Sequence, residues 1–511
     1  MQNQQQAVII APGRANGGNG TMFKLPKILR PKNRPADGDL REKEKLESWM
    51  RVFQCGVYQH RFTSDEKLAE FIRDCEYSCV GQSHSYNGIQ IVPDLNAVMM
   101  GKSTLDICTY DKATQTVTCG PSTTIEQLKR ELLEHDRKMF NSGNYMAQTV
   151  VGALVTGTHG YGKRATMADA ITQLTFLDGA GREVTLKRGD PDFGYAAISF
   201  GTIAPIISVT LETAPLEEYQ SDAWITRLSK KKGREKGSVA TSWAVVPYSN
   251  PDDPLIMLHT LRPASENKNA KKHVPKFFSA AGLTMFFIER YWAIDRAFPK
   301  MRRSLQRLAD RIDIRSHRRT ITDKRDLDYL YDPEPLLKSQ RSPDFLTGLF
   351  STTHTAYNLA FHVPLDRAEE VIKFILLEVE SWRTLGFYLK SLIGVRELSD
   401  ASSLPFAANF GGAVAAIDLF ADIRDYAWLE RIQREVLSYF ENVRPHWGKS
   451  AIVGEFADSL GEDTHMAHLR ALHQHHFPSG NLKPNERVRR LFDLGQPMAT
   501  ASISKATYDD G

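Results

Sequence analysis

Apolar and polar positions along this chain follow two periods, and the switches between them mark its elements. Between Thr63 and Cys75 the apolar residues Leu68, Phe71, Ile72 and Cys75 fall on one helical face, and Thr63 with Glu66 supplies a capping-box start. The pattern repeats from about Ser122, with a second box at Thr123 and Glu126 and a buried face of Ile125, Leu128, Leu132 and Leu133. Short strands are predicted at Tyr77–Val80, Ile89–Val92, Leu105–Thr109 and Thr116–Cys119. Ile171–Leu177 and Glu183–Leu186 alternate as a hairpin across Asp178-Gly179-Ala180-Gly181. Phe193 to Thr213 reads as a short helix, a turn at Gly201 and an apolar strand. Strands interleaved with helices predict an α+β domain that ends near Pro215.

Beyond Glu217 the texture changes. SKKKGREKG reads as a solvated basic loop, Ser242–Pro247 as a strand, and Ala281–Ile314 as one or two helices broken at Pro299. Aromatics and arginines in that last stretch admit a peripheral membrane or subunit contact through residues 281–314, or a core helix with an arginine-rich outer face. Tyr357–Val363 is a predicted strand and Asp366–Leu377 a capped helix. Leu40–Trp49 reads as a charged lead-in helix after a low-complexity, basic and proline-rich tail.

Length and composition narrow the class. A chain of 511 residues exceeds one ordinary core, and 41% hydrophobic with 25% charged residues is a globular balance. A net charge of +4 is too small to imply nucleic acid, and the Lys230–Lys236 run lacks interleaved aromatics. The five cysteines, Cys55, Cys75, Cys79, Cys108 and Cys119, lack CxxC spacing and are expected to be reduced thiols. The most apolar stretch, Phe406–Ala421, is too short to span a bilayer, and the N-terminus lacks the hydrophobic run of a signal peptide. The expected location is therefore cytoplasmic or peripherally membrane-associated. His473, His475 and His476 have a spacing that can bind zinc, but no cysteine or carboxylate pattern supports it, so solvated histidines and no metal are expected.

The candidate chemistry lies in three motifs. Thr149–Gly162, TVVGALVTGTHGYG, collects Gly152, Ala153, Gly157, Gly160 and Gly162 around His159. Such bare positions let backbone approach a flat ligand, yet the spacing is neither a dinucleotide nor a Walker fingerprint. By spacing alone it reads as a glycine-rich corner in a β-rich domain. The turn GQSHSYNG, residues 81–88, sets His84 between two serines, where successive backbone N–H groups can cradle an anion or simply hold a turn histidine. RPHWGK, residues 444–449, is uninformative in isolation.

Together these pieces resemble, in the order required, the vanillyl-alcohol-oxidase (PCMH-type FAD-binding) superfamily, and within it the aldonolactone oxidases (gulonolactone and arabinonolactone oxidase) and the alditol oxidases. The resemblance covers about residues 46–215 and 440–492 and thins between them. It implies a two-subdomain PCMH-type FAD-binding domain plus a cap domain with an antiparallel sheet flanked by helices. The implied divisions are a tail and lead-in helix (1–45), the FAD domain (46–217), the cap (218–440), a C-terminal return (441–495) and a flexible tail (496–511). Gly81, Gln82, Ser83, His84 and Ser85 are implied to hold the FAD pyrophosphate, with His84 bonded covalently to the flavin. Asn141, Ser142, Gly143, Gly152, Gly157, Thr158, His159 and Gly160 are implied to surround its ring system, and Gly201 and Ile207, within Ala196–Leu211, to close over it.

Lys449 and His446 are implied to reach the reactive side of the flavin, and Arg396 the substrate site. The family's Glu-x-Arg pair reads Gly394-Val395-Arg396 here, and its histidine on the following strand is absent from Ala416-Ile417-Asp418-Leu419, leaving Glu397 or Asp418 as substitutes. The implied activity is oxidation of a hydroxyl-bearing small molecule, an aldonolactone such as D-arabinono-1,4-lactone or an alditol, by hydride transfer to FAD. Dioxygen or another acceptor would take the electrons. A flavin oxidoreductase diverged toward a non-sugar alcohol, and a non-catalytic flavin-fold binding protein, are the alternatives.

Overall fold

The computed structural model describes residues 44–48, 54–103, 105, 107–143, 146–217, 219–263, 294, 297–321, 356–389, 392–422, 426–449 and 464–491. Two large hydrophobic cores and two smaller clusters organise them. The first gathers Leu68, Ile72, Tyr77, Ile125, Leu128, Phe176 and their neighbours, and the second Ile225, Trp243, Phe361, Val371, Ile375 and Ile417. The chain closes on itself, because Met466, Leu469 and Leu472 of the C-terminal helix Thr464–His476 belong to the first core. Tyr77 N donates to Asn481 O (2.9 Å) and Lys483 N donates back to Tyr77 O (2.7 Å).

Two sheets flank the first core. One runs Glu44–Glu47, Gln54–His60, Asn96–Met99, Tyr77–Val80, with parallel pairing on both sides of Asn96–Met99. The other is antiparallel, in the order Cys108–Asp111, Thr116–Cys119, Ile206–Glu212, Ile171–Leu177, Glu183–Lys187. The second core lies on an eight-stranded antiparallel sheet ordered Ile314–Ile321, Tyr219–Arg227, Leu255–Pro263, Ala240–Val245, Ile393–Leu398, Val414–Asp422, Ala356–Pro364, Arg444–Pro445. Helices Ala368–Arg383 and Tyr426–Tyr439 send Val371, Ile372, Ile375, Leu429, Ile432 and Val436 into that core. The fold is thus α+β, with an antiparallel sheet flanked by helices beside the mixed first half.

Several elements depart from the sequence expectations. The described part of the lead-in segment, Glu44–Glu47, is a strand, since pairing with Gln54–His60 satisfies its backbone and buries Leu46. Ile89–Val92 is a turn after Gly88, whose φ is +70°, and the strand lies instead in the wholly buried Asn96–Met99. Leu105–Thr109 moves to Cys108–Asp111. Both helix starts shift by about one residue: Ser64 accepts from Lys67 N, and the capping box is Thr124 with Gln127. SKKKGREKG is not a loop. Lys231–Glu235 is helical, and Lys231 is buried because it ion-pairs with Glu397 (2.8 Å) and Glu235 (3.0 Å).

The 281–314 reading falls partly outside the described residues. Its described end forms helix Arg302–Ala309 and the start of an edge strand at Ile314. The histidine trio sits on Thr464–His476 but is not uniformly solvated. His473 is buried and its Nδ1 donates to Thr202 O (2.7 Å), while His476 packs edge-on against Phe176. Among the described residues no helix is long and apolar enough to cross a membrane.

Candidate active site and cofactor cleft

The turn after strand Tyr77–Val80 and the short helix Val150–Val155 form the walls of a solvent-open cleft. Gly81, Gln82, Ser83, His84 and Ser85 line one wall, Thr149, Gly152 and Thr156 another, and Gly201 with Phe200 an end. A Cβ at Gly81 or at Gly152 would come within 2.7 Å of Thr149 Oγ1, the hydroxyl that caps helix Val150–Val155, so both glycines leave room for that cap. Ser83 adopts a φ of +58°, held by its hydroxyl donating to Glu47 O and accepting from Gln90 Nε2 (3.0 Å). Gln82 Nε2 donates to Gly101 O (2.8 Å). Lys483 and Asn485, brought in by the C-terminal return, complete the rim. An open cleft lined by glycines, hydroxyls and one cation suits a dinucleotide's pyrophosphate. Burial lowers the pKa of His84 to about 4, so its imidazole is neutral at the cleft wall.

The other ring-binding expectations lie outside this cleft's lining. Gly157 needs its positive φ of +68°, and a Cβ there would face Ile198 and Trp447 at 3.7 Å. A Cβ on Gly160 would sit 1.6 Å from Asn141 Oδ1. Asn141 Nδ2 donates to Tyr161 O (2.7 Å), Ser142 Oγ donates to Gly143 O (3.1 Å), and Thr158 N donates to Ala153 O (2.9 Å). These residues form a buried layer that braces Thr149–Gly162. Ile207 is buried on strand Ile206–Glu212.

RPHWGK is locked onto the cleft turn from the far end of the chain. Tyr86 N donates to Gly448 O (2.8 Å), and the buried Asn87 donates through Nδ2 to Trp447 O (2.7 Å). This docking delivers Lys449 to the large sheet. There Lys449 Nζ donates to Asp418 Oδ1 (2.7 Å) while Arg396 Nη2 donates to Asp418 Oδ2 (2.6 Å). Asp418 and Gly394 are partners across the antiparallel strands, and a Cβ on Gly394 would lie 3.4 Å from Asp418 Cβ. A carboxylate on the neighbouring strand thus stands directly against the bare position 394. Glu397, one residue beyond Arg396, takes the other face and bonds Lys231 (2.8 Å) and Trp243 Nε1 (2.9 Å).

Burial alone would raise the Asp418 carboxyl, but Arg396 and Lys449 hold it well below the usual carboxylate range. Lys449 is lowered by burial, an effect that Asp418 opposes and Arg396 reinforces.

Three buried imidazoles adjoin these charges. His159 Nε2 lies 3.1 Å from His362 Nε2, and the His446 ring centroid is 5.3 Å from that of His159 and 5.7 Å from that of His362. Because Gly160 O can only accept from His159 Nδ1 (3.0 Å), His159 Nε2 accepts from His362 Nε2–H. Burial, with the cations as neighbours, lowers all three, His362 to about 3 and His159 and His446 well below the ordinary imidazole value. His446 Nδ1 is buried with no hydrogen-bond partner among the described residues. His362 was missed in the sequence because a single polar residue in a predicted apolar strand carries no signal until a second histidine is folded against it.

The fold and the cleft define a dinucleotide-binding domain joined to an antiparallel sheet that contributes charged groups. Comparison with known proteins makes the class specific. Residues 60–187 match the FAD binding domain family, and FAD is the cofactor of this domain. The chain is 31% identical over 163 residues to the L-gulono-1,4-lactone dehydrogenase of Mycobacterium tuberculosis, covering 30% of this chain and 37% of that protein. It is 28% identical over 163 residues to the alditol oxidase of Streptomyces sp. (strain IKD472), covering 31% of this chain and 39% of that one. The match thus spans well under half the length of these curated relatives.

The fold extends further than the sequence match. A solvent-stable cholesterol oxidase superposes with a TM-score of 0.65 at 13% identity, covering 91% of this chain and all of that one. The cholesterol oxidase of Brevibacterium sterolicum gives 0.64 at 15%, again over 91% of this chain and 100% of that one. The resemblance to PCMH-type FAD proteins is thereby borne out, and the chain is related to aldonolactone and alditol flavoenzymes.

Proposed function

We propose that this protein is an FAD-dependent oxidoreductase that oxidises a CH–OH group of a small polyhydroxy substrate of the aldonolactone or alditol type, D-arabinono-1,4-lactone included. The observation that carries the reading is the docking of RPHWGK on the cleft turn, which sets Lys449 beside Arg396 and Asp418 at one place. Bound FAD supplies the hydride acceptor, with dioxygen or another oxidant drawing off the electrons. Gly81–Ser85 would hold its pyrophosphate, and the neutral His84 would offer a nucleophilic nitrogen for a bond to a methyl carbon of the flavin ring, with one C–H proton of that carbon lost and the two electrons left on the flavin passed to its oxidant.

Arg396 and Lys449 hold fixed positive charge in a water-poor setting, where it stabilises the negative charge that grows on the substrate oxygen as its proton leaves. In this reading the acceptor of that proton is His446, whose buried Nδ1 has no hydrogen-bond partner among the described residues. A second reading, oxidation of a non-sugar alcohol, is favoured by the bare Gly394 where the Glu-x-Arg pair has its acid, and by Asp418 being engaged with both cations.

The test is anaerobic bleaching of the flavin absorbance by a panel of aldonolactones, alditols and apolar alcohols. Bleaching by the polyols supports the first reading and bleaching by apolar alcohols alone the second. A flavin that no alcohol bleaches refutes both. Acid precipitation reports the covalent bond. The wild-type pellet should stay yellow and the His84→Ala pellet colourless, whereas free FAD released from the wild type refutes the linkage.

A further inference from the structure

Helix Arg302–Ala309 and the turn before it carry three rows of side chains with different surroundings. The first row anchors it. Arg302 pairs with Glu380, Gln306 Nε2 donates to Tyr248 O (3.3 Å), and Ala309 is buried. The second row is apolar and turned outward: Phe298 is 56% exposed, Met301 52% and Leu308 52%. Of the eight large apolar residues exposed among the described residues, three fall in this one short stretch, so the row is a patch rather than scatter. The third row is Lys300, Arg303, Arg307 and Arg311, all exposed and spaced three or four residues apart. Among the described residues none of these four cations has an acidic partner, while the nearby Asp310 is already paired with Arg227 (3.0 Å).

We infer that this helix is a lipid-docking surface, lying in the interface of an anionic membrane with Phe298, Met301 and Leu308 entering the acyl boundary and the cationic row resting on the headgroups. The anchor row fixes the orientation, so the apolar row cannot turn inward to escape water. An interfacial helix needs this side-by-side arrangement of apolar and unneutralised basic rows. A second copy of the chain fits it poorly, because a self-complementary contact would bring two such cationic rows together. The surface lies apart from the cofactor cleft, and the inference stands whether or not the proposed activity holds.

The experiment is co-sedimentation of the full-length flavoprotein with vesicles of phosphatidylcholine alone or mixed with phosphatidylserine, at low and raised salt. The wild type should bind the mixed vesicles, bind less as salt rises, and bind phosphatidylcholine weakly. Arg303→Glu with Arg307→Glu and Arg311→Glu should lower the partition coefficient by at least about 100-fold. Phe298→Ser with Met301→Ser and Leu308→Ser should weaken binding to both kinds of vesicle and leave only a residue that raised salt removes, with the flavin spectrum and circular dichroism of both variants unchanged. Wild-type protein that leaves anionic vesicles in suspension overturns the inference, as does equal binding by wild type and variants. A concentration-dependent dimer that the same substitutions dissolve, without vesicle binding, also overturns it and reassigns the patch to a contact between copies.

Discussion

Asp418→Asn removes one charge without changing the volume of the side chain, and its consequences follow from the two cations left behind. The Asp418 side chain is 5% exposed, Arg396 13% and Lys449 18%, so water replaces little of the lost attraction. Breaking a buried pair by neutralising one partner costs about 3–5 kcal/mol, and two cations stranded together place this case toward the upper end. If the sheet unfolds with its helices as a unit of roughly 200 residues, the unfolding midpoint should fall by roughly 6–20 °C.

The pH dependence is specific. Because the folded carboxyl lies below its unfolded value of about 3.9, its contribution is complete above that value and is lost only as pH falls through the folded pKa. The folded Lys449 ammonium lies below its unfolded value of about 10.4, so stability rises with pH between the two. Removing Asp418 takes away the influence that raises Lys449, and the variant should release that proton at lower pH than the wild type.

The stability difference between the two proteins should therefore be flat from about pH 5 to 7 and shrink on the alkaline side. Thermal or urea unfolding across that range, followed by circular dichroism, reads it directly. A difference under about 1 kcal/mol at neutral pH, or one that widens as pH rises, would show that Asp418 does not balance both cations.

Three further outcomes are expected. Arg396→Met and Lys449→Met should each slow substrate-driven flavin bleaching about 100- to 1000-fold while leaving FAD content intact, and a wild-type rate in either variant removes that cation from the reaction. Gly160→Ala should destabilise the protein by about 1–3 kcal/mol because its methyl would strike Asn141, whereas Gly412→Ala, with open space around it, should be close to neutral in the same unfolding assay. Lys231→Met should cost about 3–5 kcal/mol by stranding Glu397, and adding Glu397→Gln should recover much of it; no recovery would mean that the loss arises from packing rather than charge.

Local chemistry alone determined a large part of this molecule. The hairpin Ile171–Leu177 with Glu183–Lys187, the strands Tyr77–Val80 and Thr116–Cys119, and the turn at Gly201 appear where alternation and turn residues place them. Both early helices appear too, within a residue or two of their caps, because period and capping are properties of neighbours in sequence. The GQSHSYNG cleft wall was legible for the same reason, its residues being contiguous.

Tertiary structure decided the rest, wherever a residue's role depends on what the fold places opposite it. Asn96–Met99 is a strand because two neighbours pair with it in parallel, and periodicity carries no trace of them. Lys231, read in the sequence as one cation of a solvated run, is buried because Glu397 arrives from a strand more than 160 residues later. Asp418 could be singled out as a substitute acid in the sequence, but only the antiparallel register sets it against the bare Gly394 and between Arg396 and Lys449. His362 acquires a role only through the Nε2 of His159, a partner 203 positions away. Backbone preference acts over a few residues, whereas charge balance in a buried site is settled by strand pairing and by the return of the chain's end onto its beginning.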